Sequence, residues 1–178
     1  MSFSQYLAIA NAIEKRRPVN LLVFGLGFDS LVWNDLNRDG KTVFLEDDEE
    51  WIYKFRNSNL EIFHIVYNTK VENHEKYEFD HKNLEVDLNR ELKEVAWDVI
   101  VVDAPLGHQP PRPWKGPGRM SSLFMAKKLS SSATLIIVDD FGRDIEKRYA
   151  TEYFGEENIS QIVGDKLAFF TLEKENGK

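Results

Sequence analysis

Glycines and carboxylates placed at the ends of apolar runs mark where this sequence could do chemistry. Asn20-Leu21-Leu22-Val23-Phe24 runs into Gly25-Leu26-Gly27-Phe28-Asp29-Ser30, and Val43-Phe44-Leu45 ends in Glu46-Asp47-Asp48. A strand, a glycine loop, a helix and an acidic strand tip about twenty residues on are the parts of a nucleoside-binding unit. The glycines let the backbone approach a ligand, and a carboxylate at the second tip accepts hydrogen bonds from ribose hydroxyls. Ser30 stands where the dinucleotide fingerprint has Gly or Ala. That disfavours a pyrophosphate cofactor and favours S-adenosylmethionine, which has no phosphate to cradle. The candidate cofactor contacts are Gly25, Gly27, Asp29, Ser30, Glu46, Asp47 and, from a later strand end, Asp103. Plainer readings stand beside these. Gly25 and Gly27 serve a turn that needs φ > 0, and Asp47 and Asp48 serve as the cap and first turn of the next helix.

Asp103, Asp139 and Asp140 close two further apolar runs. Carboxylates from two strand tips meeting in one cleft could hold a divalent cation such as Mg, Mn or Co, which would lower the pKa of a substrate hydroxyl. The alternative is a pair of loop and helix caps with no metal. His108 is a candidate general base, since neutral imidazole accepts a proton near neutral pH, or else an exposed loop residue. The catalytic candidates are thus Asp103, His108 and Asp140. From Leu106 to Met120 the chain holds four of its six prolines and three of its ten glycines, the composition of a stiff surface loop. Trp114 in that loop could stack on a sugar, and Arg119 and Arg143 are the candidates to meet a carboxylate in the two-pronged geometry of Arg. His64 reads as a core residue of an apolar strand, and His74 and His81 as solvated.

The elements that must position these groups alternate. Strands are predicted over Asn20–Phe24, Lys41–Glu46, Glu61–Tyr67, Trp97–Asp103 and Thr134–Asp139, with helices over Ser30–Asn37, Glu49–Asn57, Gly118–Leu129 and Asp144–Phe154 and a poorly defined polar stretch from Val71 to Glu94. Such alternation specifies an α/β fold with a parallel sheet covered on both faces. Asn158–Val163 and Lys166–Leu172 flank Gly164-Asp165, a two-residue hairpin signal. The sheet is therefore a Rossmann-like one of seven strands, mostly parallel with a C-terminal antiparallel hairpin, as in class I S-adenosylmethionine-dependent methyltransferases. A dinucleotide-binding dehydrogenase continues instead with another parallel strand and a substrate domain. With 178 residues, 42% hydrophobic and 30% charged, the chain fits one domain spanning 1–178, opened by an amphipathic helix over 1–18. The net charge of −7 disfavours nucleic acid as a partner, no run has the length or apolarity to cross a membrane, and the absence of Cys excludes disulfides, thiolate metal sites and a Cys nucleophile.

Several motifs together resemble the glucuronoxylan 4-O-methyltransferase family of plant cell-wall polysaccharide biosynthesis. They are Phe24-Gly25-Leu26-Gly27-Phe28-Asp29-Ser30-Leu31-Val32-Trp33, Phe44-Leu45-Glu46-Asp47-Asp48, Tyr67-Asn68-Thr69-Lys70, Val102-Asp103-Ala104-Pro105, Pro117-Gly118-Arg119-Met120 and Asp140 with Arg143. The resemblance implies transfer of a methyl group from S-adenosylmethionine to O4 of a glucuronic acid residue in a glycan. It makes Gly25, Gly27 and Glu46 cofactor contacts, places Asp103 and Asp140 near the reacting hydroxyl and offers Arg119 to the uronate carboxylate. It implies a Golgi-lumen location for a plant-type enzyme, whose amino-terminal anchor is not visible here, or the cytoplasm for a microbial relative. Asp139 departs from the family pattern, where His is expected, and the segment from Gln109 to Lys115 is longer. Two alternatives from other classes remain: an NAD-dependent oxidoreductase on a minimal Rossmann domain, and a cofactor-binding protein without turnover.

Overall fold

A computed structural model describes residues 1–77, 81–106 and 116–172. Seven strands form one sheet: β1 (Asn20–Phe24), β2 (Lys41–Glu46), β3 (Glu61–His64), β4 (Val99–Val102), β5 (Leu135–Val138), β6 (Ile159–Val163) and β7 (Leu167–Thr171). Their order is β3-β2-β1-β4-β5-β7-β6. The first five pair in parallel, whereas β7 runs antiparallel to both β5 and β6. The terminal hairpin predicted at Gly164-Asp165 is present, with φ of 60° and 56° at those residues. Positive φ at both central positions is the backbone twist a tight hairpin favours.

Alternate side chains of each strand go to opposite faces, so the central strands bury both. Leu22, Phe24, Val43, Leu45, Ile100, Val102, Ile136 and Val138 share one core layer, and Leu21, Val23, Phe44, Val99, Val101, Leu135 and Ile137 the other. The second layer is closed by α1 (Phe3–Glu14), α2 (Ser30–Leu36) and α3 (Glu49–Phe55) through Ile9, Ile13, Trp33 and Phe55. A capping box fixes the start of α1, where Ser2 and Gln5 satisfy each other's backbone amides. The first layer is closed by α4 (Arg90–Glu94), α5 (Met120–Leu129) and α6 (Asp144–Phe154) through Leu92, Leu123, Met125, Ile145 and Phe154. Among the described residues, no helix is long and apolar enough to cross a membrane.

The polar stretch from Val71 to Glu94 is not one helix. It holds short 3-10 turns at Val71–Tyr77 and His81–Leu84, the second ending on the buried Leu84, then a run that buries Val86 and Leu88 while Glu85 and Asp87 stay exposed, and only then α4. Period-two burial wins there because those three side chains fill the core layer beneath α5 and α6. Strand β3 is shorter than predicted. It lies at the sheet edge, and only the Ile65 N–H follows it onto the Glu46 carbonyl (2.9 Å). His64 is consequently exposed, which corrects its reading as a core residue.

Candidate functional site

Strand order reverses between β1 and β4, so the crevice beyond their carboxyl ends is where an open α/β sheet binds ligands. A cavity of about 440 Å³ lies there, within the size range of small-ligand pockets. It is lined by Gly25, Leu26, Gly27, Asp29, Ser30 and Trp33 after β1, by Glu46, Asp47, Asp48 and Trp51 after β2, and by Asp103, Ala104, Pro105 and Leu106 after β4. Pro117 and Arg119 close it from the start of α5. Every cofactor contact expected from the sequence is among these residues.

The two glycines of the β1 loop differ. Gly25 has φ 118° and a Cβ there would sit 2.9 Å from the Cβ of Ala104, so backbone geometry and the β4 loop together require glycine. A Cβ on Gly27 would meet only the side chain of Asp29. No positive φ or backbone clash demands glycine at 27, and its bareness keeps the cavity floor open. The Gly27 N–H donates to the Ser30 hydroxyl oxygen (3.0 Å), closing the loop onto the first turn of α2. Burial raises the Asp29 carboxyl above its ordinary range.

Glu46 ends β2 with its carboxylate inside the crevice. The Leu26 N–H donates to Oε2 (2.7 Å), and the Asp47 and Asp48 N–H groups donate to Oε1 (2.9 and 2.8 Å). The side chain thus ties the β1 loop to the β2 loop while keeping lone pairs for a ligand hydroxyl. Burial raises its carboxyl above the usual value, with the amides pulling the other way. Asp48 caps α3 by accepting from the Glu50 N–H (2.8 Å), as its plainer reading expects. Asp47 lines the cavity, and burial raises its carboxyl as well.

At the far wall, the Asp103 N–H donates to the Phe24 carbonyl (3.0 Å) and the Asp139 N–H to the Val102 carbonyl (3.0 Å). The register therefore sets Asp103 beside Gly25 and Asp139 beside Asp103. Asp140 takes the left-handed conformation (φ 57°), which Asp tolerates better than most residues. Its carboxylate lies 2.9 Å from Arg119 Nη2 and 2.8 Å from Arg143 Nη1. Arg119 enters from the opposite side with its side chain only 6% exposed. Its Nη2 reaches Asp103 Oδ1 (3.4 Å), its Nη1 donates to the Asp139 carbonyl (2.6 Å) and its Nε to the Pro105 carbonyl (3.3 Å). One guanidinium serves three carboxylates. Asp103 is the member that faces the cavity, its side chain 32% exposed. Burial holds its carboxyl well above the usual range, with Asp139 adding to the rise and Arg119 opposing it.

This arrangement speaks against the metal expectation and places Arg119, Arg143 and Asp140 within one ion-pair cluster. Among the described residues no cluster of acids or histidines is arranged to hold a metal ion, because Arg119 sits between Asp103, Asp139 and Asp140 where the cation would. The residues do not fit a divalent ion in this arrangement. Arg119 lines the cavity, yet its donors are engaged by the protein and do not point a free fork at a substrate carboxylate. Arg143 lies behind Asp140, and Asp140 does not cap α6, whose first residue is preceded by Arg143 with no side-chain cap. His108 and Trp114 lie outside the described residues. The sequence reasoning missed Trp51, whose ring lines the cavity, contacts Phe28 edge-on (5.4 Å) and carries Lys54 Nζ 4.1 Å from its centre. Its place on the first turn after the acidic strand tip was the available signal.

Comparison with known proteins agrees with this architecture. Human methyltransferase-like protein 13 in complex with SAH superimposes with a TM-score of 0.59 at 16% identity, over 100% of this chain and 86% of that one. A T. thermophilus 16S rRNA methyltransferase bound to AdoMet and guanosine gives 0.58 at 16% identity, over 98% and 44%. The fold is that of class I S-adenosylmethionine-dependent methyltransferases. Among curated proteins of Arabidopsis thaliana, glucuronoxylan 4-O-methyltransferase 2 is 35% identical over 85% of this chain and 59% of its own length. Arabinogalactan O-methyltransferase 2 is 32% identical over 92% and 64%, and protein IRREGULAR XYLEM 15 is 32% identical over 98% and 61%. The chain spans about three-fifths of the length of these relatives. The family model described as IRX15/IRX15L/GXM matches residues 5–85 and 76–170, and the chain belongs to that family.

Proposed function

We propose that this chain is an S-adenosylmethionine-dependent O-methyltransferase acting on a glucuronic acid residue of a glycan, at O4. One observation carries the reading: the glycine loop with Glu46 and the carboxylate of Asp103 face each other across a single cavity at the strand switch point. Asp29, Glu46, Asp47, Asp48 and Asp103 line that cavity against one arginine that is already engaged. An acid-lined pocket suits a sulfonium cation and repels a pyrophosphate, which favours this reading over a nicotinamide-dependent oxidoreductase. The names of the curated relatives supply the acceptor class.

Glu46 and the Gly27 backbone would hold the ribose, with Trp51 as an apolar wall for the base. When bound, S-adenosylmethionine supplies a methyl carbon open to displacement by an oxygen nucleophile. The chain's part is to orient the acceptor and remove its proton, and positioning supplies much of the acceleration. Asp103 takes that proton: it is the cluster member open to the cavity, and its raised pKa makes its ionised form a stronger base than an ordinary aspartate. Arg119 holds Asp103 in place.

The test is transfer of labelled methyl from S-adenosylmethionine to glucuronic-acid-bearing oligosaccharides, with product linkage assigned by NMR. Label at O4, together with calorimetric binding of S-adenosylhomocysteine and none of NAD, is the expected result. Tight S-adenosylhomocysteine binding without transfer to any uronate acceptor would return the protein to the non-catalytic reading.

A further inference from the structure

A second cavity of about 580 Å³ opens on the other side of the aspartate cluster, between the end of β5, the start of α1 and the β6–β7 hairpin turn. Asp139 and Asp140 form one wall, Ser2 and Gln5 another, and Gly164 and Lys166 the third. It adjoins the first cavity, because Met1 lines both and because Arg119, which lines the first, pairs with Asp139 and Asp140 of the second. The hairpin is pinned against the cluster. The Phe141 N–H donates to the Lys166 carbonyl (2.8 Å), and a Cβ at Gly142 would lie 2.5 Å from the Asp165 carbonyl, so only glycine admits so close an approach.

A uronate acceptor that reaches into this cavity brings its carboxylate next to Asp139 and Asp140, and bringing three anions together requires a cation. Arg119 is buried and engaged, and Arg143 pairs with Asp140 at 2.8 Å. Lys166 is exposed, is the one basic side chain lining this cavity, and forms no ion pair among the described residues. We infer that this second cavity receives the carboxylate end of the bound uronate and that Lys166 pairs with it, while the reacting hydroxyl stays in the first cavity with Asp103. The inference rests on the proposed function for the identity of the acceptor.

The experiment compares wild type, Lys166→Ala, Lys166→Arg and, as the rival exposed cation of a separate cavity, Lys70→Ala. Each is assayed on a glucuronic-acid-bearing oligosaccharide and on the same oligosaccharide with glucose replacing the uronate. Lys166→Ala is expected to raise KM for the uronate acceptor about five- to tenfold, as for loss of one partly exposed charged contact. Its kcat, its S-adenosylhomocysteine affinity and its KM for the neutral acceptor stay within about twofold of wild type. Lys166→Arg restores the uronate KM. An unchanged uronate KM in Lys166→Ala, an equal rise for the neutral acceptor, or the rise appearing in Lys70→Ala instead overturns the assignment. Calorimetric titration of the uronate oligosaccharide into S-adenosylhomocysteine-loaded protein separates the two claims. Binding that depends on Lys166 without methyl transfer leaves the subsite standing and removes the proposed activity, whereas transfer that ignores Lys166 does the reverse.

Discussion

Glu46 and Asp103 are both carboxylates at strand tips facing one cavity, yet the chain stabilises them by opposite means. Three backbone amides close on Glu46 within 2.9 Å, so its charge is met by fixed dipoles at no cost in counter-ions. Asp103 shares a single guanidinium with Asp139 and Asp140, and its nearest contact to Arg119 is 3.4 Å. A carboxylate met by three backbone amides is a positioning group, fixed in place by the two loops that it joins. One that is buried among like charges is poised to take up a proton. On the proposed function, the difference suits the β2 end of the cavity to binding and the β4 end to proton transfer.

Removing Arg119 breaks the second arrangement most severely. Arg119→Met leaves three buried or half-buried carboxylates with no shared cation, and loss of one partner of a buried ion pair costs about 3–5 kcal/mol. In a chain of this size that is a fall in Tm of roughly 10 °C or more, read by calorimetry at neutral pH. A Tm equal to wild type would show that the cluster does not depend on the guanidinium. Glu46→Ala comes next. It strips the acceptor from three amides, two of which can then reach water at the loop surface, and the expected loss is about 2–3 kcal/mol. Glu46→Gln, which keeps one carbonyl oxygen, should lose about half as much. Chemical denaturation measures both, and calorimetry with S-adenosylhomocysteine shows whether the ribose contact is lost with them. A Glu46→Ala protein that kept wild-type affinity would confine the residue to holding the loops.

How much of this was legible depended on whether a residue's surroundings are local in the chain. Strands β1, β2, β4 and β5 were readable because burial on both faces writes an unbroken apolar run, and α6 was readable to its ends. Glu46 was readable because a strand tip is fixed by the run before it. The β3 end was not: Asn68, Thr69 and Lys70 leave the crevice, with the Thr69 hydroxyl near that of Ser121 (3.4 Å) and the Tyr67 hydroxyl bonded to that of Ser122 (2.9 Å) on α5. Nothing within those residues signals that pull. Arg119 looked like a substrate clamp because its partners lie 16 to 21 positions away on two different strand ends, and only the register of β4 with β5 brings them together. The same register turned three apparent metal ligands into partners of an arginine. Lys166 was read only as the first residue of the last strand, since the wall it faces is built by other elements.

The smallest effect is also the most direct contrast between Asp103 and an ordinary carboxylate. Because the folded protein raises the pKa of Asp103, the native state binds more protons than the unfolded chain between the two values. The stability this group contributes is full below the ordinary aspartate range and is lost as pH rises through the raised value. Asp103→Asn removes that titration, so its stability relative to wild type should climb with pH across the same window and level off above it. The same ionisation works the other way on the reaction. A base must be deprotonated, so wild-type kcat/KM should fall as pH drops through the raised value, and that limb should vanish in the weak residual activity of Asp103→Asn. Wild type would thus become a better catalyst in the pH direction in which it becomes a less stable protein. Paired pH profiles of unfolding and turnover in the two proteins decide the point. A stability difference that is flat with pH, or an acid limb that survives in Asp103→Asn, would place the proton elsewhere.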